Sequence, residues 1–197
     1  MDILNQLINT LRSLPGIGPK SAQRLVYYLL QHQRSQGLHL AQCLKEAMEN
    51  IRHCQRCNNF TEMTVCDLCQ SASRDSGLLC VVESPADLYA IQQSNSYHGH
   101  YFVLMGKISP LDGIAPEDIG LQRLYERVNS EKIGEVILAL GASIEGQITI
   151  QFIYDMLSGH SVHISQLAHG IPSGGELELL DGVTIGSALR NRAPIAC

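Results

Sequence analysis

CQRCNNFTEMTVCDLC, residues 54–69, sets four cysteines at C-x2-C-x8-C-x2-C spacing: Cys54, Cys57, Cys66 and Cys69. Two cysteines two residues apart fold back onto one ion, and a second such pair completes a tetrahedron of thiolates. The intervening NNFTEMTV is just long enough for a tight loop. Four thiolates leave no coordination position for water, so the spacing predicts one structural Zn2+ per chain. The alternative is buried cysteine pairs or two disulfides. Disulfides suit secreted chains. Here the opening MDILNQLINTLRSL is amphipathic, without the basic start and apolar centre of a signal peptide, and no apolar run approaches transmembrane length. Cys43, Cys80 and Cys197 leave an odd total. Cys43 and Cys80 have apolar neighbours, and all three read as free thiols in a reducing cytosol.

Upstream of the cysteines the periodicity is helical. Leu4, Leu7, Ile8, Leu11 and Leu14 recur at i, i+3, i+4 and i+7. LPGIGPKSAQRLVYYLLQ follows. Pro15 stops the first helix, Gly16 and Gly18 permit positive φ or close backbone approach, and Pro19 suits a first helical turn, where its missing N–H has no partner anyway. A second helix is expected from about Pro19 to His32 with Ala22, Leu25, Val26 and Leu29 inward. A third places Leu40, Leu44, Ala47, Met48 and Ile51 on one side.

Downstream, SASRDSG (71–77) reads as a linker, after which the pattern alternates. LLCVV (78–82), YFVLM (101–105), EVILAL (135–140) and VHISQL (162–167) read as strands. Helices are expected in SPADLYAIQQ, from about Pro116 to Val128, and through Met156. Strands alternating with helices argue for an α/β domain with a parallel, doubly wound sheet. The last residues contain one short helix, too little to fold alone. The domain plan is therefore 1–53 helical, 54–76 zinc finger and linker, 77–172 parallel sheet, and 173–197 C-terminal extension.

Net charge is −5 but uneven. Residues 1–57 carry seven Lys/Arg against three acids, and residues 77–197 carry six against thirteen. The basic front would attract a polyanion and the acidic back would repel one, although ordinary solvated surface also produces such an imbalance.

L-P-G-I-G-P-K has the form of a helix-hairpin-helix. Such a hairpin presents backbone N–H groups and a helix dipole to phosphate, so Gly16 and Gly18 would let DNA approach, with Lys20 and Arg24 adding charge one turn apart. Contact to backbone phosphates is independent of sequence. The same hairpin can instead serve packing or dimerisation. Glu83 ends the first sheet strand, where α/β sheets place their sites, and the loop GASIEGQ should lie beside it.

CVVESPAD, with a later strand and an E-G loop, looks like the Toprim domain of topoisomerases and primases. There a Glu is paired with D-x-D to hold Mg2+. The matching positions here are Gly141 and Ser143, and Gln147 stands where an acid is expected after Gly146. Mg2+ requires carboxylate and phosphate oxygens, and Glu83 and Glu145 alone would hold it poorly. The whole order, with LPGIGPKSAQRL, the four cysteines, CVVESPAD, YFVLMGKISPLDGIAPEDIGL and AHGIPSGGELELLDG, closely resembles the RecR family of bacterial recombination mediators. One departure is LGASIEGQ, where that family shows T-N-P-T-x-E-G-E.

The resemblance implies a non-catalytic DNA-repair accessory protein that works with RecO, and in some settings RecF. Such proteins load RecA onto single-stranded DNA coated with single-stranded-DNA-binding protein, and assemble as dimers or rings of dimers around DNA. Glu83 and Glu145 would then face a protein partner. The competing readings are a metal-dependent Toprim nuclease or primase-like enzyme, and a zinc-ribbon scaffold with no nucleic-acid role.

Overall fold

The structure is a computed structural model describing residues 2–168, 170–171 and 174–192. The Cys197 thiol lies outside these residues, as do His169, Pro172 and Ser173 of the C-terminal stretch. The chain forms two compact units, 1–51 and 52–197.

The first unit holds α1 (Ile3–Arg12), α2 (Pro19–His32) and α3 (Arg34–Asn50). Asp2 caps α1, accepting from the Leu4 N–H. Gly18 is the N-cap of α2, with Pro19 at its first position as expected. Among the described residues of this unit, only Ala22 and Val26 are buried. Leu25 is exposed, against its expected inward placement, and Leu7 and Leu14 are exposed as well, as are Leu40, Leu44, Met48 and Ile51 on the apolar side expected for α3. The cause is size: three helices of this length cannot enclose every apolar stripe they carry. Cys43 is a free thiol as expected, but its surroundings are not apolar. It is exposed on α3, its Sγ 3.5 Å from His39 Nε2 one turn away.

The second unit begins with a two-stranded antiparallel ribbon, β1 (Arg52–His53) and β2 (Phe60–Thr61), and the short α4 (Asp67–Gln70). The parallel sheet is β3 (Asp75–Val82), β4 (Gly99–Val103), β5 (Glu135–Ala139) and β6 (His163–Gln166), ordered β4-β3-β5-β6. Residues Asp75–Gly77 belong to β3, so the linker expected over 71–77 is shorter. The second sheet strand begins and ends two residues earlier than YFVLM, because Met105 turns to φ 64°.

β3 is buried on both faces, as a central parallel strand should be. Leu79 and Val81 join Phe102, Leu138, Leu124 and Ile153 beneath α6 (Leu121–Ser130) and α7 (Ile144–Leu157). Cys80 and Val82 face the other way, to Leu88 of α5 (Pro85–Gln93), Tyr101 and Val103. Burial pushes the Cys80 thiol up to about 12, which keeps it protonated. Ser84 and Asp87 form a reciprocal capping box at the start of α5. The helix expected from Pro116 is split into a 3-10 turn, Pro116–Asp118, and α6. Asp181 caps α8 (Gly182–Arg190), the short C-terminal helix, by accepting from the Val183 and Thr184 amides.

Candidate functional site

The finger assembles locally. Asn58 takes the left-handed conformation (φ 64°), tolerable for Asn, and turns the chain after Cys57. Its own N–H returns to the Cys54 carbonyl at 3.0 Å. Cys66 is the N-cap of α4, which carries Cys69 about one turn on. All four cysteines are buried, and their Sγ atoms lie within 4.8 Å of one another. A tetrahedral ion with metal–sulfur bonds of about 2.3 Å separates its sulfurs by about 3.8 Å, so the cluster has the size of one such site. The Cys66 amide donates to Cys54 Sγ at 3.3 Å, a bond that favours thiolate. Hydrogen bonding from Cys57 holds the Cys66 thiol well below its ordinary value, while the Cys57 and Cys69 thiols are pushed up. Four crowded thiols resist ionising together unless a cation is shared among them. The residues fit a soft divalent ion bound by sulfur alone.

The finger is tied to the sheet by arginines that no sequence motif singles out. Arg123 on α6 donates to the Cys54 carbonyl at 2.9 Å and also reaches Asn58 Oδ1. Arg127, one turn on and buried, donates to the Arg56 carbonyl at 3.0 Å and the Tyr101 carbonyl at 2.8 Å. Arg56 pairs with Glu131 through two bonds of 3.1 Å and donates to the Cys69 carbonyl at 2.9 Å. Val103 donates to the Cys57 carbonyl at 2.8 Å, and its own carbonyl accepts from Asn58 Nδ2 at 2.7 Å. The finger thus occupies groups along β4, an edge strand of the sheet. No local pattern announces such bonds, since donor and acceptor stand up to 75 residues apart.

At the carboxyl ends of the strands, Glu83 is half-buried and its Oε1 accepts the Gly141 N–H at 2.6 Å. A Cβ at Gly141 would lie 3.2 Å from that oxygen, and one at Gly146 would lie 2.0 Å from the Gly141 carbonyl oxygen. Glycine at 146 is therefore obligatory for this loop. Ser143 caps α7, accepting from the Gly146 N–H at 3.2 Å. Lys107 reaches Ser143 Oγ at 3.0 Å and Glu145 at 3.7 Å. The Glu145 carboxyl is held below its ordinary value, first by its own amide, then by Ser143 and Lys107. Glu83 and Glu145 are thus each engaged within the chain, Glu83 with a backbone amide and Glu145 with the Lys107 ammonium. With Gly141, Ser143 and Gln147 uncharged and an ammonium already present, this loop cannot hold Mg2+ as a Toprim enzyme does.

In the first unit, Gly16 takes φ +78°, which an L side chain adopts with strain. Gly18 is extended, with open space where a Cβ would stand. The amides of Lys20 and Ser21 head α2 before its first i→i−4 bond, from the Ala22 N–H to the Gly18 carbonyl at 3.0 Å. Lys20 and Arg24 are exposed one turn apart. The structure therefore brings Gly16, Gly18, Lys20 and Arg24 to one hairpin and Glu83 and Glu145 to one loop end.

A Toprim-like sheet with neutral residues at its metal positions, following a hairpin of helices and a four-sulfur finger, defines a modular protein of nucleic-acid metabolism. Residues 4–48 match the helix-hairpin-helix model of RecR, 51–71 the RecR zinc-finger domain with four cysteines, 77–168 the Toprim domain, and 170–193 the C-terminal model of RecR. The chain is 67% identical over 195 residues to the recombination protein RecR of Legionella pneumophila strain Philadelphia 1, covering 99% of this chain and 98% of that protein. It has the same identity to that of strain Corby, at 99% of each chain. The chain belongs to the RecR family of recombination proteins. No helix among the described residues is long and apolar enough to cross a membrane.

Proposed function

We propose that this chain is a recombination and repair adaptor. It binds DNA without sequence preference and works with RecO, and with RecF, to load RecA onto single-stranded DNA coated with single-stranded-DNA-binding protein. The observation that supports this best is the collinear order of the four family segments across residues 4–193, with neutral residues at the Toprim metal positions Gly141 and Ser143. The test is RecA filament formation on a coated strand with RecO present, expected to accelerate on adding this chain. Mg2+- or Mn2+-dependent DNA cleavage by the chain itself would favour the nuclease or primase-like reading instead.

The finer assignments belong to the same reading. The metal of Cys54, Cys57, Cys66 and Cys69 is a single structural Zn2+. DNA is met at Gly16, Gly18, Lys20 and Arg24, through amides and two cations. RecO is met at the loop end of the sheet: Glu83 holds the loop through Gly141, and Glu145 with Lys107 presents charge at its rim. The working protein is a dimer or a ring of dimers, for which the exposed apolar residues of α3 supply surface, and it acts in the cytoplasm. The four parts are the helical region, the finger, the sheet and the C-terminal extension, which the sequence pattern divides as 1–53, 54–76, 77–172 and 173–197; strand pairing moves Arg52 and His53 to the finger, and β3 moves Asp75 and Ser76 to the sheet.

A further inference from the structure

The outer face of α2 carries more than the two cations of its first turns. Ala22, Val26 and Leu29 turn inward, while Lys20, Gln23, Arg24, Tyr27, Tyr28 and Gln31 line a shallow groove of roughly 440 Å³ on the opposite side, with His32 at its end. Tyr27 is 40% and Tyr28 51% exposed. Gln23 Nε2 donates to the Tyr27 hydroxyl at 3.1 Å, which steadies one ring, and Tyr28 lies 5.7 Å from the His32 ring, which props the other. The residues lining the groove include no acid. The ion pairs among the described residues engage Lys45, Arg56, Lys107 and Arg127, so Lys20 and Arg24 keep their charge for a ligand.

Cations beside exposed, steadied aromatic rings are the equipment of a single-strand platform: the cations follow phosphates while the rings stack on bases. Paired bases of a duplex are already stacked and offer these rings no free face. We infer that the outer face of α2 is a base-stacking surface for single-stranded DNA, with Tyr28 and Tyr27 as its specificity-determining residues. They confer preference for unpaired strands over duplex. This rests on the reading of the hairpin as the DNA contact, and adds a contact to bases where the hairpin reaches only phosphate.

The test uses the full-length protein and two probes of equal length and charge, an oligo-dT and the same strand with abasic sites throughout. The parent should bind the intact strand about 5-fold or more tightly than the abasic one, since each stacked base is worth roughly 5- to 150-fold. Tyr28→Ala should weaken binding to oligo-dT by a similar factor, leave duplex binding and the salt slope unchanged, and no longer discriminate the abasic strand. Tyr28→Phe should keep the discrimination, because stacking does not need the hydroxyl. Equal affinity of the parent for both strands overturns the inference without recourse to any variant. So does an equal loss on duplex and single strand, or a change in assembly mass with no change in DNA affinity, which would make the face a protein interface. If charge reversal of Lys20 and Arg24 leaves binding to both probes unchanged, or the parent binds neither, the hairpin reading itself falls.

Discussion

Arg127 donates its Nη1–H to the main-chain carbonyl of Tyr101 at 2.8 Å, and the same nitrogen reaches the carbonyl of Arg56 at 3.0 Å. One buried guanidinium thereby joins α6, the edge strand β4 and the finger. Cutting the bond would leave two carbonyls and the Glu131 carboxylate short of a donor.

Arg127→Met should destabilise the protein by about 3 kcal/mol, the cost of leaving buried acceptors and a charge partner unmet. Arg127→Lys should recover little, because an ammonium cannot span the fork geometry. Urea denaturation at fixed zinc checks both. An Arg127→Met protein within about 0.5 kcal/mol of the parent, the range of an ordinary surface substitution, would dismiss the clamp.

Glu131 gives that network a pH dependence. Burial alone would raise its carboxyl, but the hydrogen bonds and charges of Arg56 and Arg127 outweigh burial and hold it below its ordinary 4.5. A depressed carboxyl stabilises the fold above its unfolded value and loses that stabilisation as pH falls through the folded one. Glu131→Gln should therefore be less stable than the parent by about 1–2 kcal/mol at pH 7. The gap should narrow as the pH drops below about 4.5. A gap that is constant from neutral pH into that acid range would refute the assignment.

Zinc removal should act as a folding lesion. Binding by four thiolates is on the order of 10 kcal/mol in small zinc peptides, so Cys57→Ala should abolish stoichiometric zinc and lower the melting temperature of the whole second unit. Elemental analysis of protein purified without chelator should give one zinc per chain. A metal-free yet equally stable protein would defeat the claim.

Reversing Lys20 and Arg24 together to Glu should weaken DNA binding about equally across sequences. Each lost phosphate contact should flatten the log-affinity against log-salt slope by roughly 0.7 for single strands and 0.9 for duplex. An unchanged slope in a variant of normal assembly mass would confine the hairpin to packing.

At the sheet's loop end, Glu145→Lys should slow RecO association, and Lys107→Glu combined with it should restore the local pair but not the partner's. Glu83→Gln should do less, since its amide oxygen can still accept from Gly141. Rim charges chiefly alter association rate, so stopped-flow kinetics is the measurement. Equal rates for parent and Glu145→Lys would remove this face from partner recognition.

The elements legible in the sequence were those with local chemistry. The α5 helix in SPADLYAIQQ, Pro19 at the head of α2, the four cysteines and the apolar run of β3 each announce themselves within a few residues. What stayed hidden depends on distant partners or on bulk. Arg56, Arg123 and Arg127 look like ordinary surface cations until the fold carries the finger to β4. The polar start of β3 at Asp75 looks like a linker until it pairs with Gly99. Helical periodicity reports which side of α3 is apolar, and is silent on whether so small a unit can cover it. The strand-end positions of Glu83 and Glu145 are legible in the pattern, but Gly141 and Lys107 reach them only through the fold.

The bonds from the finger to Val103 carry a consequence for how the protein dies. A strand whose outer groups are occupied is safe from neighbours, and one laid bare is a template for other chains. Stripping the metal loosens Cys57 and Asn58, the residues that occupy Val103. Chelation should then lead to precipitation that accelerates with protein concentration. Zinc returned late should fail to rescue what zinc returned early restores.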